Sequence, residues 1–122
     1  MKNIKTLLAG LLLAVLVPSL AAAATSRWTI DNDYNRTVSL EFYSQDRNHV
    51  WPGNDQVYVI DPNEGQASFN LSCNNNELIC YGAWVRGNSQ TYWGVGPNDS
   101  YNCSNCCARC GQGDVEPIDL LP

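Results

Sequence analysis

The chain has 122 residues, with seven basic and 12 acidic side chains and a formal charge of −5. Both lysines, Lys2 and Lys5, fall in the first 24 residues, and residues 25–122 set five arginines against all 12 acids, a formal charge of −7. That balance argues against nucleic acid and anionic lipid as partners, and the length excludes a second domain, a multi-span membrane protein and a cytosolic enzyme of ordinary size.

Residues 1–24 read as an export signal. Lys2 and Lys5 make a charged start, Leu7 to Leu20 is apolar apart from Gly10, Pro18 and Ser19, and Ala21 to Ala24 offers an A-x-A cleavage site ending at Ala23 or Ala24. The apolar run is shorter than the roughly 20 residues of a membrane span, so no span is expected in the mature protein. The style is that of a bacterial Sec signal, and the expected location is periplasmic or secreted. In that compartment cysteines of a small domain pair as disulfides.

Residues 25–113 are expected to form an exported all-β domain, a small antiparallel sandwich or barrel of about six strands. Trp28-Thr29-Ile30 reads as the first strand. Val38, Leu40 and Phe42 alternate with Ser39, Glu41 and Tyr43 in the second, the period-2 pattern of a half-buried strand. Gln56 to Ile60 comes next. Ala67, Phe69, Leu71 and Cys73 then alternate with Ser68, Asn70 and Ser72, and Leu78 to Val85 and Thr91 to Val95 complete the set. Turn chemistry separates them, with Pro52-Gly53-Asn54-Asp55 and Gly96-Pro97-Asn98-Asp99 the plainest examples. After Val95 an irregular, cysteine-rich C-terminal loop is expected, and residues 114–122 read as an acidic, flexible tail.

Six cysteines serve this domain: Cys73, Cys80, Cys103, Cys106, Cys107 and Cys110. Cys73 and Cys80 flank the turn Asn74-Asn75-Asn76, which suggests a bond across a hairpin, with the last four paired among themselves. The rival pattern ties Cys73 and Cys80 to the C-terminal loop, and spacing does not choose among the 15 connectivities six cysteines allow. An alternative function treats Cys103-x-x-Cys106-Cys107-x-x-Cys110 as a thiolate metal or redox centre. Its two knuckles touch, whereas a structural zinc site separates them, so no metal or other cofactor is expected.

Asp31-Asn32-Asp33-Tyr34-Asn35 opens like a calcium loop, but Arg36 stands where the turn needs Gly and Phe42 where a bidentate Glu is needed, so a polar turn is the preferred reading. His49, the only histidine, has Asp46, Arg47 and Asp55 near it in sequence, which frames a second alternative, a small extracellular hydrolase. With no lysine in the domain to hold a polyanion, no catalytic residue is assigned.

The aromatic inventory is the stronger functional signal. Trp51, Tyr58, Trp84, Tyr92 and Trp93 lie on or beside strands among Asn, Gln, Ser and Thr, the mixture that stacks on the C–H faces of sugars and binds their hydroxyls. Scarce aliphatics mean that several rings must also form the core. Tyr81 and Trp84 point to opposite sides of one strand, as do Tyr92 and Trp93, so at least two large rings should be partly exposed.

Ile79-Cys80-Tyr81-Gly82-Ala83-Trp84, Tyr92-Trp93-Gly94-Val95-Gly96 and the double C-x-x-C together resemble a group of small exported cysteine-rich bacterial proteins. The resemblance spans most of the domain and implies no activity, ligand or catalytic residue. The Asn35-Arg36-Thr37 turn before an alternating strand is also loosely similar to thaumatin-like and aegerolysin-like sandwiches, over about ten residues. The expected function is a non-enzymatic, disulfide-stabilised binding module, monomeric, whose ligand is a carbohydrate or a protein.

Overall fold

The computed structural model describes residues 22–122, so all but the last residues of the predicted export signal lie outside the described residues. Among the described residues nine strands are formed: β1 (Ala23–Asn32), β2 (Val38–Ser44), β3 (Val50–Trp51), β4 (Tyr58–Ile60), β5 (Gln66–Asn74), β6 (Leu78–Val85), β7 (Asn88–Gly94), β8 (Cys107–Arg109) and β9 (Ile118–Leu120). The expected six are all present, three of them extended or trimmed by several residues, and three short strands are added. Among the described residues no helix is long and apolar enough to cross a membrane.

The strands divide between two sheets, and neither closes into a barrel. One is three-stranded in the order β5-β1-β9; the other runs β3-β2-β6-β7, with β4 sharing the β2 edge and β8 pairing β6. The pairings are antiparallel except that of β1 with β9. The core lies between the sheets. Trp28, Ile30 and Leu71 meet Val38, Leu40, Phe42, Ile60, Ile79 and Ala83 there, all at most 1% exposed. Rings extend this layer: Phe42 lies 5.1 Å from Trp28 and 5.8 Å from Phe69, centroid to centroid. Burying each such side chain contributes about 1.5–3 kcal/mol, which is how a domain short of aliphatics fills its interior.

Two expectations for the cysteines and the tail are corrected. β5 and β6 do not form a hairpin. Asn74 to Glu77 carries the chain from one sheet to the other, so Cys73 joins the core while Cys80 faces the opposite side of its own sheet. The bonds are Cys73–Cys110, Cys80–Cys107 and Cys103–Cys106, which is the pattern tying both upstream cysteines to the C-terminal loop. In a chain-entropy estimate the two long bridges, with separations of 37 and 27 residues, contribute about 3–4 kcal/mol each and the local one about 2 or less.

The end of the chain is docked rather than loose. Ile30, Asp31 and Asn32 pair with Ile118, Asp119 and Leu120, and Leu120 is fully buried. Leu120 supplies an apolar residue at the open side of a three-stranded sheet, and the Val115 N–H donates to the Arg27 carbonyl at 3.0 Å. At the other end, Ala23 and Ala24 pair with Asn74 and Cys73, so cleavage after either alanine would trim the start of β1.

The turn that switches sheets is fixed by an ion pair between the buried Glu77 and the partly exposed Arg47. Glu77 accepts from Arg47 Nε at 2.6 Å and Nη2 at 3.1 Å, from Ser44 Oγ at 2.5 Å and from the Asn74 N–H at 2.9 Å. Burial opposes its charge most strongly of any single influence, yet these donors and the Arg47 charge together outweigh it and hold the carboxyl down at about 2.

Candidate functional site

Register assigns each ring on a strand to a face. On β6, Ile79, Tyr81, Ala83 and Val85 turn inward, leaving Cys80, Gly82 and Trp84 on the outer face of the larger sheet. Val59, Ser39, Trp84 and Tyr92 therefore stand in one row across β4, β2, β6 and β7. Val59 and Tyr92 are 43% and 39% exposed and Trp84 is half-buried. Tyr101 packs flat against Tyr92, the rings 4.0 Å apart and 8° from parallel, and is itself 42% exposed. The expectation of partly exposed large rings is met by Trp84 and Tyr92.

Three members of the expected aromatic platform, Trp51, Tyr58 and Trp93, belong elsewhere. Trp51 pairs with Phe42 on the inward side, is 7% exposed and donates its indole N–H to the Ser72 carbonyl at 3.0 Å. Tyr58 packs on Phe69 and Phe42 at 4.7 and 6.0 Å. Both lie opposite inward residues of β2, so the two-residue period turns them to the core. Trp93 also faces inward, half-buried, edge-on to Tyr34 at 5.2 Å and bonded to the Leu121 carbonyl at 2.8 Å. Trp84 and Tyr92 remain on the outer face. Tyr101, which carries no strand signal and falls in the expected irregular loop, joins them.

Beside this row lies a polar cleft of about 680 Å3. Glu41 and Tyr43 on the outer face of β2 border it, together with His49. Two turns rise on its sides, Gly53 to Gln56 and Pro97 to Ser100. Each presents an Asn-Asp pair with both residues left-handed: Asn54 and Asp55 at φ 57 and 59°, Asn98 and Asp99 at φ 59 and 53°. Asn and Asp tolerate that conformation better than other side chains, which is why such pairs make tight turns. Both turns were legible as turns in the sequence. That they flank one cleft was not.

The Tyr43 hydroxyl ties the aromatic row to the cleft. It donates to Glu41 Oε1 at 3.0 Å, accepts from the Asn98 N–H at 2.9 Å and lies 3.3 Å from the Gly96 carbonyl. Burial, and then the Glu41 charge, keep it protonated well above the usual tyrosine range. Glu41 is itself raised, first by burial and also by the Asp55 charge, although the Tyr43 hydroxyl works the other way. Gly82 makes this junction possible, because a Cβ there would run into the Gly96 carbonyl and the Tyr43 ring. A Cβ on Gly96 in turn would meet the Tyr101 ring at 2.6 Å and the Tyr92 ring at 3.2 Å. Rings and carboxylates are thus neighbours through one glycine.

The groups gathered around His49 in sequence are dispersed in their bonding. Arg47 is clamped on Glu77, the Asp46 carboxylate accepts from the Leu78 N–H at 2.9 Å, and the His49 ring meets Trp51 edge-on at 4.6 Å. Arg47 and Asp55 do share the cleft with His49. The cysteine run Cys103 to Cys110 offers no thiolate set, since all six sulfurs are in disulfides. The calcium-like opening contributes Asp31 and Asp33 to a cluster with Asp119 of β9, whose carboxylates lie within 4.8 Å of one another. Asp33 is raised there by partial desolvation and by the charges of Asp31 and Asp119.

Fold and cysteine framework define a small two-sheet β domain stabilised by three disulfides. No family model, no curated protein and no solved structure matches the chain.

Proposed function

We propose that this protein is an exported, non-enzymatic carbohydrate-binding module, related to the small cysteine-rich exported proteins that it resembles, and that it uses the outer face of its larger sheet. The observation that carries the reading is the contact between exposed rings and a polar cleft through Gly96 and Tyr43. A sugar stacked on Tyr92 or Tyr101 brings its hydroxyls towards Asp99, Asn98 and Glu41, whose oxygens and amides suit them. The rings are held before any ligand arrives, by stacking and by the disulfides of the adjacent loop, which reduces the ordering cost of binding. Export is supported by the charged and apolar start of the chain and by cysteines paired throughout.

Glycan-array screening followed by titration calorimetry tests this. Tyr92→Ala and Asp99→Asn are each expected to weaken binding about tenfold, or about 1.4 kcal/mol, while thermal stability changes little. An array without binding, or affinities untouched by both substitutions, removes the carbohydrate reading. Val57 and Val59, 37% and 43% exposed at the β4 edge, favour a protein partner as the second reading. Envelope-protein capture abolished by Val59→Asp, with an empty array, would select it.

A further inference from the structure

A second cleft, of about 560 Å3, lies on the side of the domain where the chain passes from β8 in one sheet to β9 in the other. Residues 110–117 strap the two sheets together here, pinned at one end by Cys73–Cys110 and near the other by the bond from the Val115 N–H to the Arg27 carbonyl. Trp28 of β1 lines the cleft, with Cys106, Ala108, Val115 and Ile118 as apolar surroundings. None of these residues takes part in the outer-face site.

Trp28 is the unusual member. It is 1% exposed, and its indole Nε1 makes no hydrogen bond among the described residues. Trp51 and Trp93, by contrast, donate to the carbonyls of Ser72 and Leu121 at 3.0 and 2.8 Å. The rings nearest Trp28, Phe42 at 5.1 Å and Tyr81 at 6.2 Å, offer tilted π faces, at best weak acceptors. A buried donor without an acceptor costs about 1–3 kcal/mol, and so is rarely left in a folded core without a reason.

The chemistry of the surroundings narrows what would satisfy it. An indole N–H only donates, so the partner must accept. Asp114 and Glu116 at the rim repel a carboxylate, while Arg109 is turned to the Asn76 carbonyl at 3.0 Å. An ammonium would lose its hydration against Val115, Ile118 and Ala108 with no buried carboxylate beside it as replacement. We propose that this cleft is a binding site for a small, uncharged, largely apolar molecule bearing a carbonyl group, whose oxygen accepts the Trp28 Nε1 hydrogen bond. Its hydrocarbon part rests on the half-buried Val115 and Ile118, past which it enters. The site is independent of the carbohydrate reading and survives its failure.

The test uses the oxidised protein labelled with 15N and follows its four tryptophan indole signals, the Trp28 signal being assigned through its contacts so that the core ring is kept. Cyclohexanone is the probe and methylcyclohexane the carbonyl-free control. Cyclohexanone is expected to move the Trp28 indole proton downfield with saturation and to leave the Trp84 signal in place. Val115→Trp, which fills the cleft from the strap, should weaken that response at least about tenfold with the other indoles unperturbed; Tyr92→Ala should leave it intact. No saturable shift at Trp28, an equal shift with methylcyclohexane, or a Trp28 proton that stays in contact with a bound water throughout the titration would each overturn the proposal.

Discussion

The two faces of the larger sheet are built on different principles. Its inward face is packed by size, with Val38, Leu40, Phe42, Ile79 and Ala83 filling the gap to the smaller sheet. Its outward face is packed by close approach: Gly82 lets the Gly96 carbonyl touch the sheet, Tyr43 bonds the turn beyond it, and Cys80 binds β8 covalently to β6. The consequence appears in β6, where nearly every residue is buried, whereas β5 in the smaller sheet leaves Ser68, Asn70 and Ser72 to solvent. A loop laid over half of a face produces a covered region and an uncovered one. At their boundary stand the exposed rings and the cleft.

Three substitutions break or sharpen that contrast. Phe42→Ala should be the most damaging, removing a fully buried ring from the inward layer at a cost of about 3–5 kcal/mol, read as a lowered denaturation midpoint. Gly82→Ala attacks the outward face by adding a single methyl where backbone already stands. Overpacking of about 2–3 kcal/mol is expected, together with weaker protection of the Asn98 N–H in hydrogen exchange, because the turn must lift from Tyr43. If Gly82→Ala were neutral, the outward face would be loosely laid rather than packed.

Glu77→Gln tests the turn that links the sheets and has the smallest expected effect, about 2 kcal/mol at neutral pH, since Arg47 is 40% exposed and keeps access to water. The folded carboxyl titrates near 2, below its ordinary value of 4.5, so its stabilisation is complete above that ordinary value and fades as pH falls towards 2. Wild type and variant should therefore converge in stability in acid, which urea titrations across that range measure. A difference that persists at pH 2 would assign Glu77 a role in packing rather than in charge.

The strands were legible because alternation is a local property. Ala67 to Cys73 shows it clearly, and its predicted inward set is the one that is buried or half-buried. Tyr43 shows where alternation misleads: it stands on the polar side of β2 yet is 5% exposed, because distant residues 95–103 cover it. Trp51 and Tyr58 misled in the same way. Their ring types suggested a platform, but their exposure depends on pairing with Phe42 and Leu40, which composition does not reveal. Tyr101 carried no strand signal, and only its stacking on Tyr92 makes it part of a surface.

By itself the sequence determined the all-β class, the places of six of the nine strands among the described residues and the cysteine-rich segment after Val95, because side-chain period, turn chemistry and cysteine spacing act within a few residues. It also determined that large rings would stand on both sides of β6 and β7. Tertiary structure alone decided which cysteines bond, since the switch of sheets at Asn74 to Glu77 sets their neighbours, and it decided that the acidic C-terminal segment adds β9 beside β1. It decided, too, that Asn54-Asp55 and Asn98-Asp99 flank one cleft. These outcomes join residues far apart in the chain, and the energy that brings them together comes from surfaces that exist only once both sheets have formed.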